Sequence, residues 1–270
     1  MERFYVITNR MKDKSFATTQ RIKNYIERKG KECILAAEGE EFPKNIDCVL
    51  VLGGDGTLMR AARELRAYDV PLIGINMGTL GYMAEIELDD LEESLDRIID
   101  GVPQIENRMM LSGTLNGNIE DFALNDIVLT RKGPLRVIQF NIFVNGKLLN
   151  AYQADGVIIS TPTGSTAYNL SAGGPIVAPT ASMIVITPIC SHALNASSIV
   201  FSADDEIILE VGEGRDGREE EATLSFDGEH NYEVKTRDWI VIRKAEDTTK
   251  LLKLSKVSFL ETLRKKMKGN

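Results

Sequence analysis

The fold of the first part of the chain is decided by the segment Cys48-Val49-Leu50-Val51-Leu52-Gly53-Gly54-Asp55-Gly56-Thr57. Its first five residues form a continuous apolar run, which is typical of a parallel strand buried on both faces. The glycines that follow allow a tight turn, and the pattern after them predicts a helix over 57–68. This arrangement places the turn at the carboxyl edge of a sheet, where open α/β sheets bind their ligands.

The sequence on both sides of this segment alternates between strand and helix. Apolar runs predict strands at 4–8, 33–36 and 71–75. A helix is predicted at 15–28, and Asp89 is the predicted N-cap of another helix that ends at residue 100. The order predicts an α/β domain over residues 1–102, with a parallel sheet covered by helices.

From residue 103 the pattern changes to short runs rich in valine, isoleucine, threonine and phenylalanine. The pairs Asn116-Gly117, Asn145-Gly146 and Asp227-Gly228 are hairpin signals. We therefore expect a β-rich, sandwich-like domain over 103–257, followed by a helical tail at 258–270 with its helix at 258–268. The strands predicted for the β-rich domain are 138–144, 156–160, 183–186, 206–211, 222–226 and 239–243.

The composition is that of an ordinary globular protein, with 43% hydrophobic and 27% charged residues in a chain of 270. No apolar run reaches the roughly 18 residues that span a bilayer, and the N-terminus shows no secretory signal. We expect a cytoplasmic protein without a membrane partner. The net charge of −8 argues against a general nucleic-acid binder. Three scattered cysteines and two distant histidines argue against a structural zinc site.

The Gly53–Thr57 turn has the features of a phosphate-binding site. Its glycines let the backbone approach a phosphate without interference from a Cβ atom. The helix that follows directs free N–H groups toward an anion. Asp55 would repel a phosphate at this position unless it accepts a hydroxyl proton or holds a cation. The residues alone leave open whether Asp55 has such a role or is a turn residue or helix cap.

The same turn differs from two common nucleotide-binding motifs. It lacks the Gly-Lys-Ser/Thr of a Walker A loop, and it does not have the Rossmann glycine spacing. Because the usual P-loop lysine is absent, the charge of a triphosphate must be offset in another way. A divalent cation, in particular Mg²⁺, would serve, and the sequence does not identify its ligands.

Two segments of the β-rich part carry polar residues suited to a nucleotide. Asn125-Asp126 combines donors and acceptors, as a base and ribose hydroxyls require, although such a pair also forms ordinary turns. The segment from Asp155 to Ser171 combines small hydroxyl residues and glycines with Tyr168, which could flank a ring. A Gly/Ser/Thr-rich connection without a ligand is the alternative for that segment.

Taken in order, these motifs resemble the NAD kinase family. The Gly-Gly-Asp-Gly turn alone is shared with lipid kinases and phosphofructokinases, whereas the ordered set over residues 48–230 is much more specific. The segments that carry the resemblance are Gly53-Gly54-Asp55-Gly56-Thr57, Gly74-Ile75-Asn76-Met77-Gly78-Thr79-Leu80-Gly81-Tyr82, Asn125-Asp126, Asp155-Gly156, Ser160-Thr161-Pro162-Thr163-Gly164-Ser165-Thr166-Ala167-Tyr168 and Phe226-Asp227-Gly228.

The resemblance implies an enzyme that moves a phosphoryl group from ATP or another donor to the adenosine-ribose 2′-hydroxyl of NAD. It implies NAD bound between an α/β domain and a β-rich domain, in a homodimer or homotetramer. Asp55 corresponds to the general base of the family. The residues that correspond to dinucleotide contacts or flank the pocket are Gly56, Tyr82, Asn125, Asp126, Arg136, Asp155, Thr163, Thr166, Ala167, Tyr168 and Ser171.

The sequence departs from the family at two positions and leaves two other functions open. Gln153 and Ser197 stand where many members have basic residues, which bears on affinity for a polyanion and on the choice of donor. A lipid kinase would share the glycine-rich turn, but the polar 155–171 segment argues against it. The other open function is a dinucleotide sensor without turnover, and the presence of Asp55 argues against it. The sequence decides neither the donor nor the preference between NAD and NADH.

Overall fold

The computed structural model describes residues 1–78, 81–133, 137–191, 197–214, 217–254 and 259–267. These residues form two compact units, the first made of Met1–Asn107 with Thr249–Asn270 and the second of Arg108–Thr248. The segment from Thr249 onward therefore belongs to the first unit. The division predicted from the sequence differs here, because it places residues 249–257 in the β-rich domain and 258–270 in a separate tail.

The first unit is built on parallel strands with helices between them. Its elements are β1 Arg3–Thr8, α1 Ala17–Arg28, β2 Glu32–Leu35, β3 Cys48–Gly53, α2 Asp55–Glu64, β4 Leu72–Asn76, β5 Ala84–Ile86, α3 Leu91–Asp100, the end of β17 Trp239–Lys253 and α5 Phe259–Met267, with 3₁₀ turns at Arg66–Tyr68 and Leu88–Asp90. The strand pairs β1/β2, β1/β3, β3/β4, β4/β5 and β4/β17 are all parallel, as the alternating pattern predicts.

Burial in the first unit follows the sequence pattern. Every residue of β3 and β4 is buried, as expected for strands that carry helices on both faces. The helix α3 buries Leu91, Leu95 and Ile98 on one face, at the three- and four-residue spacing of an amphipathic helix. These side chains join the strand residues in one apolar core.

Three predicted helix starts are wrong, each by a few residues. The helix expected from Thr57 begins at Asp55, with Gly54 before it. The first helix begins at Ala17, because Phe16 has a left-handed backbone with φ 55°. Asp89 is not an N-cap, since it lies in the 3₁₀ turn and Asp90 is the residue before α3.

The second unit is all β, and each strand pair with a defined register is antiparallel. Its elements are β6 Gln104–Leu115, β7 Ile119–Ala123, β8 Asp126–Arg131, β9 Ile138–Val144, β10 Lys147–Ala154, β11 Gly156–Ser160, α4 Tyr168–Ser171, β12 Met183–Ile189, β13 Ile199–Ser202, β14 Ile207–Val211, β15 Glu221–Phe226 and β16 His230–Lys235, with a 3₁₀ turn at Gly164–Thr166. One row of strands has the order β10-β9-β14-β17, with β6 beside β17 and β7 beside β6, and the other row has the order β13-β12-β11-β8-β15-β16.

The two rows of strands pack face to face. Phe140 and Ile142 of β9 share one buried cluster with Ile159 of β11 and Leu224 of β15. This arrangement confirms the predicted sandwich-like class. The three predicted hairpin turns are present too, and each has positive φ at both central residues (for example 49° at Asn145 and 74° at Gly146), as type I′ turns require.

The tail helix predicted over 258–268 is present as α5, and its predicted end residues lie outside the described part of the chain. Among the described residues, none of the helices combines the length and the apolar character needed to cross a membrane.

Candidate active site

The Gly-Gly-Asp-Gly turn joins β3 to α2 in the first unit, and Asp55 is the first residue of the helix. A Cβ atom on Gly53 would lie 2.3 Å from Thr57 Oγ1, so a side chain has no room where the strand meets the helix. Gly53 pairs with Asn76 at the end of the neighbouring strand β4. Both strands therefore end at the same edge of the sheet, which is the ligand-binding edge of such folds.

The Asp55 carboxylate is held by the segment that follows β4. Its Oδ2 accepts the Tyr82 backbone N–H at 2.7 Å, and its Oδ1 accepts the Met83 N–H at 3.3 Å. A Cβ atom on Gly81 would lie 2.0 Å from Oδ1, so glycine is required for this approach. The side chain of Asp55 is therefore oriented by a second loop at the edge of the sheet.

The motif that begins at Gly74 supports the same edge. Met77 donates its backbone N–H to the Gly53 carbonyl at 2.9 Å, and Asn76 Nδ2 donates to the Gly78 carbonyl at 2.9 Å. Tyr82 is half-buried, and its ring lies 4.4 Å from Lys266 Nζ of α5, a cation–π distance. Thr79 and Leu80 lie outside the described residues.

In the second unit, Asp227 fixes the conformation of the predicted Asn125-Asp126 pair. Its carboxylate accepts backbone N–H groups from Leu124 at 2.9 Å, Asn125 at 2.7 Å and Asp126 at 3.2 Å. Charge-assisted bonds of this kind are stronger than neutral ones. The pair is therefore a rigid part of the fold, with the Asn125 side chain partly exposed.

Asp126 is the most perturbed carboxyl group at this site. Burial, and secondly the negative charge of Asp227, raise its pKa to about 7. A buried carboxyl that can be neutral near neutral pH is able to donate a hydrogen bond as well as accept one. Such groups are common at functional sites, although ion networks also produce them.

The Thr161–Gly164 turn lies directly against this pair. Thr161 donates its hydroxyl to the Leu124 carbonyl at 2.6 Å and its N–H to the Asn125 carbonyl at 2.8 Å. A Cβ atom on Gly164 would lie 2.1 Å from the Asn125 carbonyl oxygen. Close packing of the two backbones therefore explains the glycine at position 164.

Part of the Ser/Thr-rich segment has a purely structural role. Ser165 is buried, and its hydroxyl bridges the Pro162 carbonyl at 2.7 Å and the Val177 N–H at 3.0 Å. Asn169 is also buried, and its Oδ1 accepts the Thr187 hydroxyl at 2.6 Å. These buried groups anchor the loop while Tyr168, which is 44% exposed, remains accessible to a ligand.

Asp155 carries a positive partner on the neighbouring strand. Arg131 Nε donates to its Oδ1 at 2.9 Å, and Arg131 also donates to the Gly133 carbonyl. Gln153, which replaces a basic residue of the family pattern, has an exposed side chain. Arg131 therefore provides a cation beside Asp155. Arg136 and the segment His192–Ala196, which precedes the exposed Ser197, lie outside the described residues.

Two family models match this chain, one over each of its two parts. Residues 3–102 match the model of the ATP-NAD kinase N-terminal domain, and residues 124–254 match that of the C-terminal domain. The chain belongs to the ATP-NAD kinase family.

Relatives within this family match over the full chain. The NAD kinase of Lachnospira eligens is 46% identical over 99% of this chain and 100% of its own length. The NAD kinase of Agathobacter rectalis is 45% identical over 100% and 99%. A crystal structure of an NAD kinase from Archaeoglobus fulgidus in complex with ATP superposes with a TM-score of 0.82 at 25% identity, over 98% of both chains. The chain is thus an enzyme of the NAD kinase type.

Membership of the ATP-NAD kinase family leaves the individual site residues as predictions. The structure places Asp55 and Tyr82 together in the first unit, and in the second it packs Gly164, the residue after Thr163, against Asn125. The sequence assigns Asp227 no role, although Asp227 lies in a hairpin signal and in a segment that resembles the family. Arg108 was also missed; it is buried and lies 3.3 Å from Thr163 Oγ1.

Proposed function

We propose that this chain transfers the γ-phosphoryl group of ATP to the adenosine-ribose 2′-hydroxyl of NAD, with Asp55 as the general base. The observation that carries the proposal is the position of the Asp55 carboxylate. It stands at the N-terminus of α2, beside the glycine-rich turn, and two backbone N–H groups fix its orientation. Family membership supports the overall reaction, and this geometry supports the assignment of the base.

The role of Asp55 follows from the nature of phosphoryl transfer. A carboxylate is too weak a base to remove an alcohol proton at equilibrium. In a loose transition state the proton leaves late, while the new oxygen–phosphorus bond forms. Asp55 then has to orient the 2′-oxygen in line with the γ-phosphorus, and orientation supplies much of the rate in such reactions. The bonds from Tyr82 and Met83 suit this role, because they fix the carboxylate before substrate binds.

The dinucleotide contacts remain those implied by the family motifs. In the second unit the proposed contacts are Asn125, Asp126, Asp155, Thr163, Thr166, Ala167, Tyr168 and Ser171, with Arg136 outside the described residues. The support is that Asp227 and Thr161 rigidly hold Asn125 and Asp126. A pre-formed site loses little conformational entropy on binding.

We propose Mg²⁺ as a companion of the donor triphosphate. Among the described residues, no three or more His, Cys, Asp or Glu side chains form a group that could hold a metal ion. A divalent cation on the phosphates would neutralise charge as the bond to the leaving group breaks. The residues that would act in this proposal are those of the Gly53–Thr57 turn, because the free N–H groups at the start of α2 would donate to an anion bound there.

The test is NADP formation from NAD, ATP and Mg²⁺ by wild type and by Asp55→Asn. We expect kcat to fall by about 10²–10⁴, because the amide cannot accept the hydroxyl proton. The dissociation constant for NAD should change little, because Asn keeps the size of Asp and one acceptor oxygen. Asp89→Asn is the matched control, since Asp89 is exposed and should keep wild-type turnover.

Two results would contradict parts of this proposal. Wild-type turnover in Asp55→Asn would exclude Asp55 as the base. The second result is a wild type that binds NAD tightly and forms no NADP with ATP, other triphosphates or polyphosphate as donors. That result would favour the dinucleotide-sensor hypothesis.

We also propose that the chain works as a homodimer or homotetramer, on the family resemblance alone. Light scattering coupled to size-exclusion chromatography measures this directly. A mass near 29.9 kDa, that of one chain, would contradict it.

A further inference from the structure

The loop between β1 and α1, residues 9–16, is fixed against the Gly-Gly-Asp-Gly turn. Asn9 donates its backbone N–H to the Leu52 carbonyl at 2.9 Å, and its Nδ2 donates to Thr57 Oγ1 at 3.1 Å. These two bonds connect the loop to the residues on both sides of the turn. The β1–α1 loop therefore belongs to the same rigid edge of the first unit as Asp55.

The same loop is ordered from within by Asp13. Asp13 is buried, and its Oδ2 accepts the Thr19 N–H at 2.8 Å and the Thr19 hydroxyl at 2.7 Å. The backbone N–H groups of Lys12 and Asp13 both donate to the Asn9 carbonyl at 3.0 Å. These hydrogen bonds fix the backbone at Lys12, whose side chain is exposed.

The Lys12 ammonium lies over two glycines of the ligand-binding edge. A Cβ atom on Gly54 would be 3.0 Å from Lys12 Nζ, and one on Gly78 would be 3.6 Å from it. Gly54 precedes α2, whose first N–H groups are unsatisfied within the helix. The lysine and the helix N-terminus therefore present positive charge to the same small space, which the absence of side chains at Gly54 and Gly78 keeps open.

We propose that Lys12 binds the β- and γ-phosphate oxygens of the triphosphate donor. This inference rests on the proposed function. The glycine-rich turn lacks the lysine that a P-loop carries within its own sequence, and the protein has a net charge of −8. A lysine from a separate loop, 3.0 Å from the Gly54 Cβ position, supplies the missing cation where a phosphate would approach the turn.

The chemistry assigned to Lys12 is electrostatic. During transfer the bond from the γ-phosphorus to the β–γ bridging oxygen breaks, and the bond to the ribose 2′-oxygen forms. The hydroxyl proton goes to Asp55, and negative charge develops on the β-phosphate of the leaving ADP. Lys12 keeps its proton and donates hydrogen bonds to these oxygens, so its contribution is larger in the transition state than in the ground state.

The loop offers a matched control at Lys14. Both lysines are exposed members of the β1–α1 loop, but Lys12 Nζ is the group that lies near Gly54 and Gly78. Arg10 is a less suitable control, because its guanidinium lies 5.7 Å from the centre of the Phe16 ring. Lys12→Met and Lys14→Met remove one charge each and keep an unbranched side chain.

The experiment measures kcat and KM for ATP and for NAD in Lys12→Met, Lys12→Arg and Lys14→Met. We expect Lys12→Met to lower kcat/KM for ATP by about 10²–10³, the usual effect of removing one donor to a developing charge. The KM for NAD and the melting temperature should stay close to wild type. Lys12→Arg should restore about a tenth or more of the activity, since it keeps the charge, and Lys14→Met should stay within about twofold.

A binding measurement separates failure of this inference from failure of the proposed function. Titration calorimetry with the β,γ-imido analogue of ATP does not depend on turnover. A wild type that binds the analogue at least about tenfold more tightly than Lys12→Met supports the phosphate contact even if NADP is not formed. Equal affinities, or a Lys12→Met enzyme with wild-type kcat/KM for ATP, would overturn the assignment.

Discussion

Asp55 in the first unit and Asp227 in the second both hold a loop by accepting backbone N–H groups. Asp227 is only 8% exposed and accepts three of them, from Leu124, Asn125 and Asp126. Asp55 is half-buried and accepts two, from Tyr82 and Met83. A carboxylate has about four lone-pair directions. Asp227 is thus committed mainly to structure, whereas Asp55 keeps acceptor capacity and access for a substrate hydroxyl.

The comparison shows how one residue type takes two roles with the same kind of partner. In both places the carboxylate accepts hydrogen bonds from backbone N–H groups. The burial of Asp227 makes its bonds part of the stability of the second unit. Because Asp55 is partly exposed, its hydrogen bonds mainly orient the carboxylate, and their loss should lower the stability of the first unit only slightly. Mutations should therefore affect mainly activity in the first unit and mainly stability in the second.

Among the variants that test the difference between Asp55 and Asp227, the largest effect is expected for Gly81→Ala. The new Cβ atom would lie 2.0 Å from Asp55 Oδ1, so the carboxylate must move. A displacement of about 1 Å at a catalytic group can reduce the rate about 10²-fold. We expect that loss in kcat, with little change in the urea midpoint, because the Asp55 side chain can shift toward solvent.

A double variant shows whether Gly81 acts through Asp55. If it does, adding Gly81→Ala to Asp55→Asn should lower kcat little further, since non-additivity identifies residues that act as one unit. Independent losses that multiply, or wild-type kcat in Gly81→Ala, would contradict the proposed role of this contact.

A smaller effect, now on stability, is expected for Asp227→Asn. The amide keeps one acceptor oxygen and loses the charge, so at least one of the three N–H bonds is lost. Hydrogen bonds to charged groups contribute about 1.5–3 kcal/mol each, and we expect the free energy of unfolding to fall by about 2 kcal/mol. Urea unfolding measures this, with Asp204→Asn as an exposed control. Unchanged stability would show that Asp227 does not hold the Leu124–Asp126 turn.

Most of the first unit could be predicted from the sequence, because buried parallel strands produce apolar runs. The run at β3 and the glycines after it locate the turn to within a few residues. Two of the strands that were missed in the second unit, β10 and β16, are mostly exposed to solvent. In β16 all but one residue is at least partly exposed, and in β10 two of eight residues are buried. Such strands give no alternating signal, since their place depends on neighbours distant in the chain.

The site could be predicted only where its residues lie in contiguous motifs. Asp55, Asn125 and Asp126 are conspicuous as polar residues beside glycines or strand starts. Lys12 and Asp227 act on motifs that are respectively about 40 and 100 residues away in the chain. Their roles depend on which loops the fold brings together, which neither spacing nor composition reveals. Ser165 and Asn169 show the opposite error, since a binding motif also contains residues that only hold the loop.

The smallest expected effect concerns Asp126, which lies beside Asp227. The pKa of Asp126 is about 7 in the folded protein, against an ordinary value of 3.8. Between these two pH values the folded state therefore binds a proton that the unfolded state has lost. Stability from this group is therefore full below the ordinary value and falls as the pH rises through 7. Between pH 6 and pH 8 the loss should be about 1 kcal/mol.

Asp126→Asn removes this titration, because the amide stays neutral. The variant should gain about 1 kcal/mol relative to wild type on going from pH 6 to pH 8, as measured by urea unfolding at both values. Asp204→Asn should show no such change. Because the charge of Asp227 contributes to the raised pKa of Asp126, the same gain measured in an Asp227→Asn background should be smaller. A gain that is equal in both backgrounds would mean that burial alone perturbs Asp126, and that Asp227 acts only as the clamp of the turn.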